Sequence, residues 1–573
     1  MLEARSPEHA TPQPPEYSAP REPSSRPTRT ETDVVVLGSG IGGSTVAAIL
    51  ARQGARVAIV DGGFHPRFAL GESTIGETSF LLRQLATRYD VPELAQVTTA
   101  HGLAENISRR CGIKRNFGFV YHRAGERHDR YEVTQCNVSE GRYGPESHLL
   151  RADVDAYLFA AAKRYGALAF EGARAEGVDF DAAGGATVRL RGGSAIAARY
   201  VVDATGRRSV LAEQFGLREQ PCRFATDTRS MFCHMRGVRP YDEVEGGNGQ
   251  PTPWHEGTLH HLFEGGWLWV IPFGNHADAE TDLVSVGLTL ERSAHPEREG
   301  VAAAREWSEF LARFPSIAEQ FAEAEPVFDW VQTGRTQYSS SRTVGDGWLL
   351  MSHAAGAVDA LFSRGMANTF AVVEAFVPRL LAGLQDGDLS AERFAYVDRL
   401  NQAILDNNDR LIHGSYVSFR DFDLWRAWSK MWYLAWNLGV IRYAGSYYRY
   451  LETGEVADLD LLHDAPLPGT FCPELESAQE QFETCYRIIL DVEAGRMTPE
   501  EAVPKLAWTL GDGEASPEPL NLFDVLRRWH DGSAETQRLI YEWGRTTAPE
   551  PLRRYFAYDR ATIERAAEFV LAA

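Results

Sequence analysis

The run Gly38-Ser39-Gly40-Ile41-Gly42-Gly43 constrains the fold of this chain more than any other stretch, because of its flanks. Ahead of it stands Val34-Val35-Val36-Leu37, an unbroken apolar quartet of the kind that forms a strand buried on both faces. Behind it, Ser44-Thr45-Val46-Ala47-Ala48-Ile49-Leu50 reads as a helix, and a second buried strand, Val57-Ala58-Ile59-Val60, ends at Asp61. The first glycine permits a tight turn, the second lets the backbone approach a pyrophosphate, and the third lets the helix pack close to the strand. A carboxylate at the end of the second strand can accept ribose hydroxyls. The unit therefore predicts a dinucleotide site that uses Gly38, Ser39, Gly40, Ile41, Gly43, Ser44 and Asp61.

A chain of 573 residues is too long for one core and should divide into two or three modules. A helix is expected from Glu77 to Tyr89 and another from Arg151, and the strand Tyr200-Val201-Val202-Asp203 runs into Ala204-Thr205-Gly206. Residues 100–145 are mixed in pattern and are expected to pair as strands over the first unit. From about 222 to 335 apolar and polar residues alternate, as in Trp267 to Phe273, which predicts antiparallel strands in a second layer. The strand Trp348-Leu349-Leu350-Met351 and a helix from Met366 to Leu384 return the chain to the first module, and helices follow. Trp425, Trp428, Trp432 and Trp436 fall on one helical face, a stripe read as packing. The expected architecture is α/β (α+β). Residues 1–30 form a disordered tail, 31–221 a nucleotide-binding domain completed by 336–385, 222–335 an antiparallel-sheet substrate domain, and 386–573 a helical C-terminal domain.

Composition narrows the partners. With 58 Lys+Arg against 79 Asp+Glu the formal charge is −21, which argues against nucleic acid and against an anionic membrane, since both require a basic face. No apolar run approaches the length of a membrane span, and the N-terminal segment lacks the apolar stretch of a secretory signal. The cysteines are scattered without a CxxC pair, so neither a zinc ribbon nor a disulfide framework is expected, and a reducing cytoplasm is. Lysine occurs only at 114, 163, 430 and 505, which makes each one worth attention.

A glycine turn near the start of the globular chain and a late Asp203-Ala204-Thr205-Gly206 turn together resemble the FAD-binding proteins of the glutathione-reductase-like superfamily. There is no second glycine motif on a comparable strand, so no dedicated nicotinamide domain is visible. Three further segments resemble the flavin-dependent halogenases: Gly71-Glu72-Ser73-Thr74-Ile75, the W-x-W-x-I-P run from Trp267 to Pro272, and Asp359-Ala360-Leu361-Phe362-Ser363-Arg364-Gly365. The likeness extends from about residue 32 to about 558 and is strongest to the branch that acts on phenols and pyrroles.

That resemblance implies an FADH2- and O2-dependent chlorination of an electron-rich pyrrole or phenol in secondary metabolism. It runs through a flavin hydroperoxide and hypohalous acid, with chloride or bromide as co-substrate. A separate NAD(P)H flavin reductase would supply reduced FAD, and the small aromatic substrate is either free or tethered to a carrier protein. It assigns further cofactor contacts to Gly71, Glu72, Ser73, Thr74, Arg151, Ala175, Asp203, Ala204, Thr205, Gly206, Gly365 and Met366. The backbone N–H groups of Arg364 and Gly365 become the halide donors, Lys114 the amine that delivers the halogen, and Ser363 its companion on the passage. Trp267, Trp269 and Phe362 line that passage, and His255 and Glu256 are candidates to orient the substrate. His255-Glu256 does not open a zinc motif, because position 259 is leucine, and no metal is expected. The position that carries the lysine in the tryptophan-specific branch is Phe80 here. Two departures stand out: Ser352-His353 replaces the usual Gly-Asp, which would weaken FAD binding, and Gly76 replaces a proline, which would loosen the preceding loop. The alternative on the same scaffold is an FAD-dependent aromatic hydroxylase, which would need neither halide nor Lys114.

Overall fold

The computed structural model describes residues 29–572 apart from 142, 182 and 183, so nearly all of the expected N-terminal tail lies outside the described residues. Arg29–Glu31 already forms a strand, paired in parallel with Ala195–Ala198.

The apolar quartets assemble as their composition requires. Val34–Leu37 lies at the centre of a six-stranded sheet, flanked by parallel Val57–Asp61 and Tyr200–Asp203. Leu168–Glu171 and Trp348–Leu350 extend it in parallel on the two sides, and Val344–Gly345 closes one edge. All four residues of Val34–Leu37 are fully buried, as a strand covered on both faces must be. Ile41–Arg52 packs against Arg151–Arg164 and against Gly365–Asp386, so segments from three distant parts of the chain meet at the glycine turn. Gly365–Asp386 is long and apolar enough to cross a membrane by composition, yet most of it is buried in this core.

The second layer is a nine-stranded sheet. Thr228–Arg236, Val284–Glu291, Gly266–Pro272 and Thr258–Phe263 run antiparallel in that order, from the stretch where the alternation was read. The sheet then continues into Asn116–Tyr121 and Val133–Asn137. Strands from the 100–145 stretch therefore extend this layer instead of lying over the first unit. The cause is burial on both faces: Phe117 and Phe119 pack against the tryptophan-rich helix Phe422–Thr453, while Val120 joins the opposite core with Leu259 and Phe263. The beginning of the stretch supplies a different element, since Gly112–Lys114 forms a separate two-stranded sheet with Glu146–His148.

Helices account for most of the chain beyond residue 390. Phe422–Thr453 starts at Asp421, whose side chain accepts from the Leu424 N–H, and stops at Gly454 in a left-handed conformation. Trp425, Trp428 and Trp432 are buried by packing, whereas Trp436 also borders a cavity.

Candidate active site

Two cavities meet at the glycine turn. The first, about 1070 Å³, is lined by Gly38, Gly40, Asp61, Ala175, Ala204, Thr205 and Gly206. The turn leaves no latitude: Gly38 has φ +93°, and a Cβ on Gly43 would collide with the Gly38 carbonyl oxygen. Asp61 receives the Ser39 N–H at 2.7 Å, the Ser39 hydroxyl at 2.8 Å, the Gly63 N–H and the Arg67 guanidinium. Burial alone would raise its pKa, but these donors hold the carboxylate at about 2. Ser39 and Ser44 thus brace the turn, the Ser44 hydroxyl donating to the Ser39 carbonyl. Asp203 lines neither cavity: its oxygens accept from Thr205, Ser209 and Leu211, so it shapes the turn from behind.

The second cavity, about 430 Å³, shares Gly40 and Ala204 with the first. Ile41, Gly43, Gly71, Glu72, Ser73, Arg151, Trp267, Trp269, Asp359, Ser363, Gly365 and Met366 line it. The Gly71–Thr74 loop is tied at both ends. Glu72 meets the His234 ring nitrogen at 2.6 Å, and Arg151 donates to the carbonyls of Leu70 and Gly71 while bound to Asp155. Trp267 Nε1 donates to the Tyr416 hydroxyl at 3.1 Å, and Tyr416 donates to Asp359, whose pKa burial pushes up to about 6. Ser363 sits at φ +55° just before Gly365–Asp386. The Arg364 guanidinium turns away from the cavity, bonded to Asn408 at 2.9 Å and 3.4 Å from Glu77. Phe362 stacks on Trp432, ring centres 4.9 Å apart, and borders a small space with Arg364 and Gly365. A first chamber of mixed polarity adjoining a largely apolar second one fits FAD, with the nucleotide suited to one and the ring system to the other.

A third cavity, about 560 Å³, opens between the helices Gly76–Tyr89 and Phe422–Thr453. Lys114 stands in the partition between the second and third. Its side chain is fully buried, lies 3.4 Å from the centre of the Phe117 ring, and donates to the Thr74 carbonyl. Ser73, Thr258 and His260 line the second cavity on one side, and Glu146 and Gly76 line the third on the other. Lys114 itself is not in either lining. Burial lowers its pKa, and burial raises that of Glu146, 3.6 Å away.

Not every expected contact is assembled. His255 and Glu256 belong to a short helical turn and line neither cavity: His255 is bonded to Asp242 at 2.9 Å and Glu256 to Arg115 at 2.8 Å. Thr74 also lies outside both linings and meets Lys114 through its carbonyl. Gly76 is the first residue of a helix instead of part of a loose loop. Sequence reasoning missed Glu146, which becomes visible only once its strand pairs with that of Lys114, and Arg83, which shares a helix face with Gly76 and Ser79.

Residues 31–239 match the FAD binding domain family, and residues 137–433 match the Tryptophan halogenase family. The chain is 42% identical over 536 residues to monodechloroaminopyrrolnitrin halogenase PrnC of Pseudomonas fluorescens, covering 92% of this chain and 94% of that one. It is also 42% identical to tetracycline 7-halogenase of Kitasatospora aureofaciens, covering 89% of this chain and 92% of that one. Among solved structures, halogenase PltM in complex with phloroglucinol and FAD superposes with a TM-score of 0.84 at 30% identity, covering 87% of this chain and 99% of that one. The chain is an enzyme of secondary metabolism and belongs to the flavin-dependent halogenases.

Proposed function

We propose that the protein chlorinates an electron-rich pyrrole or phenol, free or carrier-tethered, with Lys114 carrying the halogen to the ring. The observation behind this reading is a fully buried amine 3.6 Å from Glu146, which lines the third cavity, and bonded to the carbonyl of Thr74, which follows Ser73 of the second lining. The relatives bear on the substrate class, since one is named for monodechloroaminopyrrolnitrin and another for tetracycline. FAD, reduced by a separate NAD(P)H-dependent reductase, supplies the activation of dioxygen that turns halide into an electrophile.

The protein's own part begins with the halide. The N–H groups of Arg364 and Gly365 at the start of a 22-residue helix favour an anion by roughly 0.3–1 kcal/mol, more where water is excluded. Trp267 and Trp269 on one face of their strand, with Phe362 clamped against Trp432, keep the passage dry. Lys114 leaves the Thr74 carbonyl to meet the electrophile, and burial favours the neutral amine that this requires. A guanidinium stays protonated and cannot substitute. Glu146 is placed to take the proton that the substituted ring releases.

The test is an assay with a flavin reductase, NADH, chloride or bromide, and a panel of pyrroles and phenols, with Lys114→Ala and Lys114→Arg alongside. Both variants should consume reduced flavin and yield no halogenated product. Halogenation by either removes Lys114 from the mechanism, and an oxygenated product indifferent to chloride supports the hydroxylase.

A further inference from the structure

The third cavity carries more information than its position. Gly76, Ser79, Phe80 and Arg83 recur at helical spacing and present one face of Gly76–Tyr89 to it. Tyr433, Trp436 and Tyr448 do the same from Phe422–Thr453. A cavity of about 150 Å³ holds one benzene ring, so a space of about 560 Å³ has room for several.

Within this aromatic wall Arg83 is anomalous. It is buried, its guanidinium centre lies 3.7 Å from the Tyr143 ring centre, and its Nε and Nη2 bond only the hydroxyl and carbonyl of Thr98. Among the described residues no carboxylate lies within ion-pair distance of it, although Arg538 in the same lining is paired with Glu535 and Glu542. A buried guanidinium that no carboxylate pairs directly, with only the longer-range attraction of Glu146, is costly to keep, because Arg does not escape by losing its proton. Lining atoms that are buried without a hydrogen-bond partner include the Ser79 hydroxyl, one helical turn from Arg83, and, toward Gly76, Trp436 Nε1 and Glu146 Oε2. Neutral lining residues would serve a neutral ligand equally well. A fixed cation with an unpartnered hydroxyl one helical turn away serves an anionic oxygen.

We infer that this cavity receives a multi-ring aromatic substrate bearing an acidic oxygen, whose negative charge is held by Arg83 with Ser79. The ring to be substituted then lies at the Gly76–Glu146 end, beside Lys114. This rests on the reading that the third cavity is the substrate side of Lys114, and it adds a selection rule: aromatic acids and acidic phenols over their uncharged analogues.

The test needs no turnover. FAD-loaded protein is titrated with hydroxynaphthoate and with its methyl ester, which has the same rings without the charge, by isothermal calorimetry. The wild type should prefer the acid by about tenfold or more, the size expected of one charge-assisted hydrogen bond. Arg83→Gln should bring the two affinities together by weakening the acid alone, and Arg83→Lys should restore part of the preference. Equal binding of acid and ester by the wild type overturns the inference without recourse to any variant. So does a preference that survives in Arg83→Gln. If the preference holds while no panel substrate is ever halogenated, the subsite stands and the halogen-delivery reading falls.

Discussion

Lys114 Nζ and Glu146 Oε2 lie 3.6 Å apart in a fully enclosed setting, directly opposite each other in a two-stranded sheet. Each is disfavoured as an ion by the burial of the pair and favoured by the other's charge, so the two protonation states are coupled.

The pH dependence follows from this pair. If the neutral amine is the reacting form, kcat/KM for halogenation should rise with pH through about 7, the value to which burial brings Lys114. The Glu146 carboxylate stabilises the protonated amine, so Glu146→Gln should move the midpoint to lower pH. A pH–rate profile of each protein, with reduced flavin supplied in excess, decides it. A flat profile from pH 6 to 9 in the wild type, or a midpoint displaced upward in the variant, contradicts the assignment.

The loop beside the flavin chamber depends on Glu72 and His234, joined at 2.6 Å between the Gly71–Thr74 segment and the nine-stranded sheet. A buried, charge-assisted contact of this kind contributes roughly 1.5–3 kcal/mol. Glu72→Ala and His234→Ala should each weaken FAD binding by about tenfold or more, measured by flavin fluorescence titration. Because each residue acts through the other, the double variant should bind FAD about as weakly as either single one. Additive losses would show two independent roles.

The legible parts of this site are the local ones. Gly38 to Asp61 could be read because strand, turn and helix lie within one short segment, whose geometry is set by its own residues. Lys114 stood out through the scarcity of lysine, but its setting could not be read, since Thr74, Phe117 and Glu146 reach it from three separate segments. The same limitation explains His255 and Glu256: polarity in an alternating stretch says nothing of direction, and both are committed to Asp242 and Arg115. Asp203 misleads in the opposite way, a carboxylate at a cofactor turn whose hydrogen bonds all point into the protein.

Ser352 takes a left-handed conformation, φ +40°, at the position where the family resemblance expects glycine. A side chain there costs roughly 1–2 kcal/mol relative to glycine, partly offset by the hydrogen bond that Ser352 Oγ accepts from Thr369 at 2.7 Å. Ser352→Ala keeps the strain and loses the bond, whereas Ser352→Gly loses both. Urea unfolding should therefore find the glycine variant more stable than the alanine variant by about 1–2 kcal/mol, with wild type close to glycine. An alanine variant as stable as the glycine variant would show that the backbone strain is not real.

Gly76 governs access to the carboxylate. A Cβ placed there would meet Val440 Cγ2 at 2.9 Å and Glu146 Oε1 at 3.4 Å, with Trp436 Nε1 at 3.9 Å, so a side chain would crowd the Lys114 end of the third cavity. Gly76 opens its helix without a left-handed φ, so alanine meets no backbone obstacle. Gly76→Ala should leave FAD binding intact while lowering kcat/KM several-fold for multi-ring and one-ring substrates alike, because the reacting ring of either must reach that end. Trimming the opposing side chain in Gly76→Ala/Val440→Ala should recover much of the loss by letting the new methyl group settle. Steady-state kinetics on the two substrate classes measures both steps. No loss for either class, or a loss confined to the multi-ring substrates, would place the reacting ring elsewhere in the cavity.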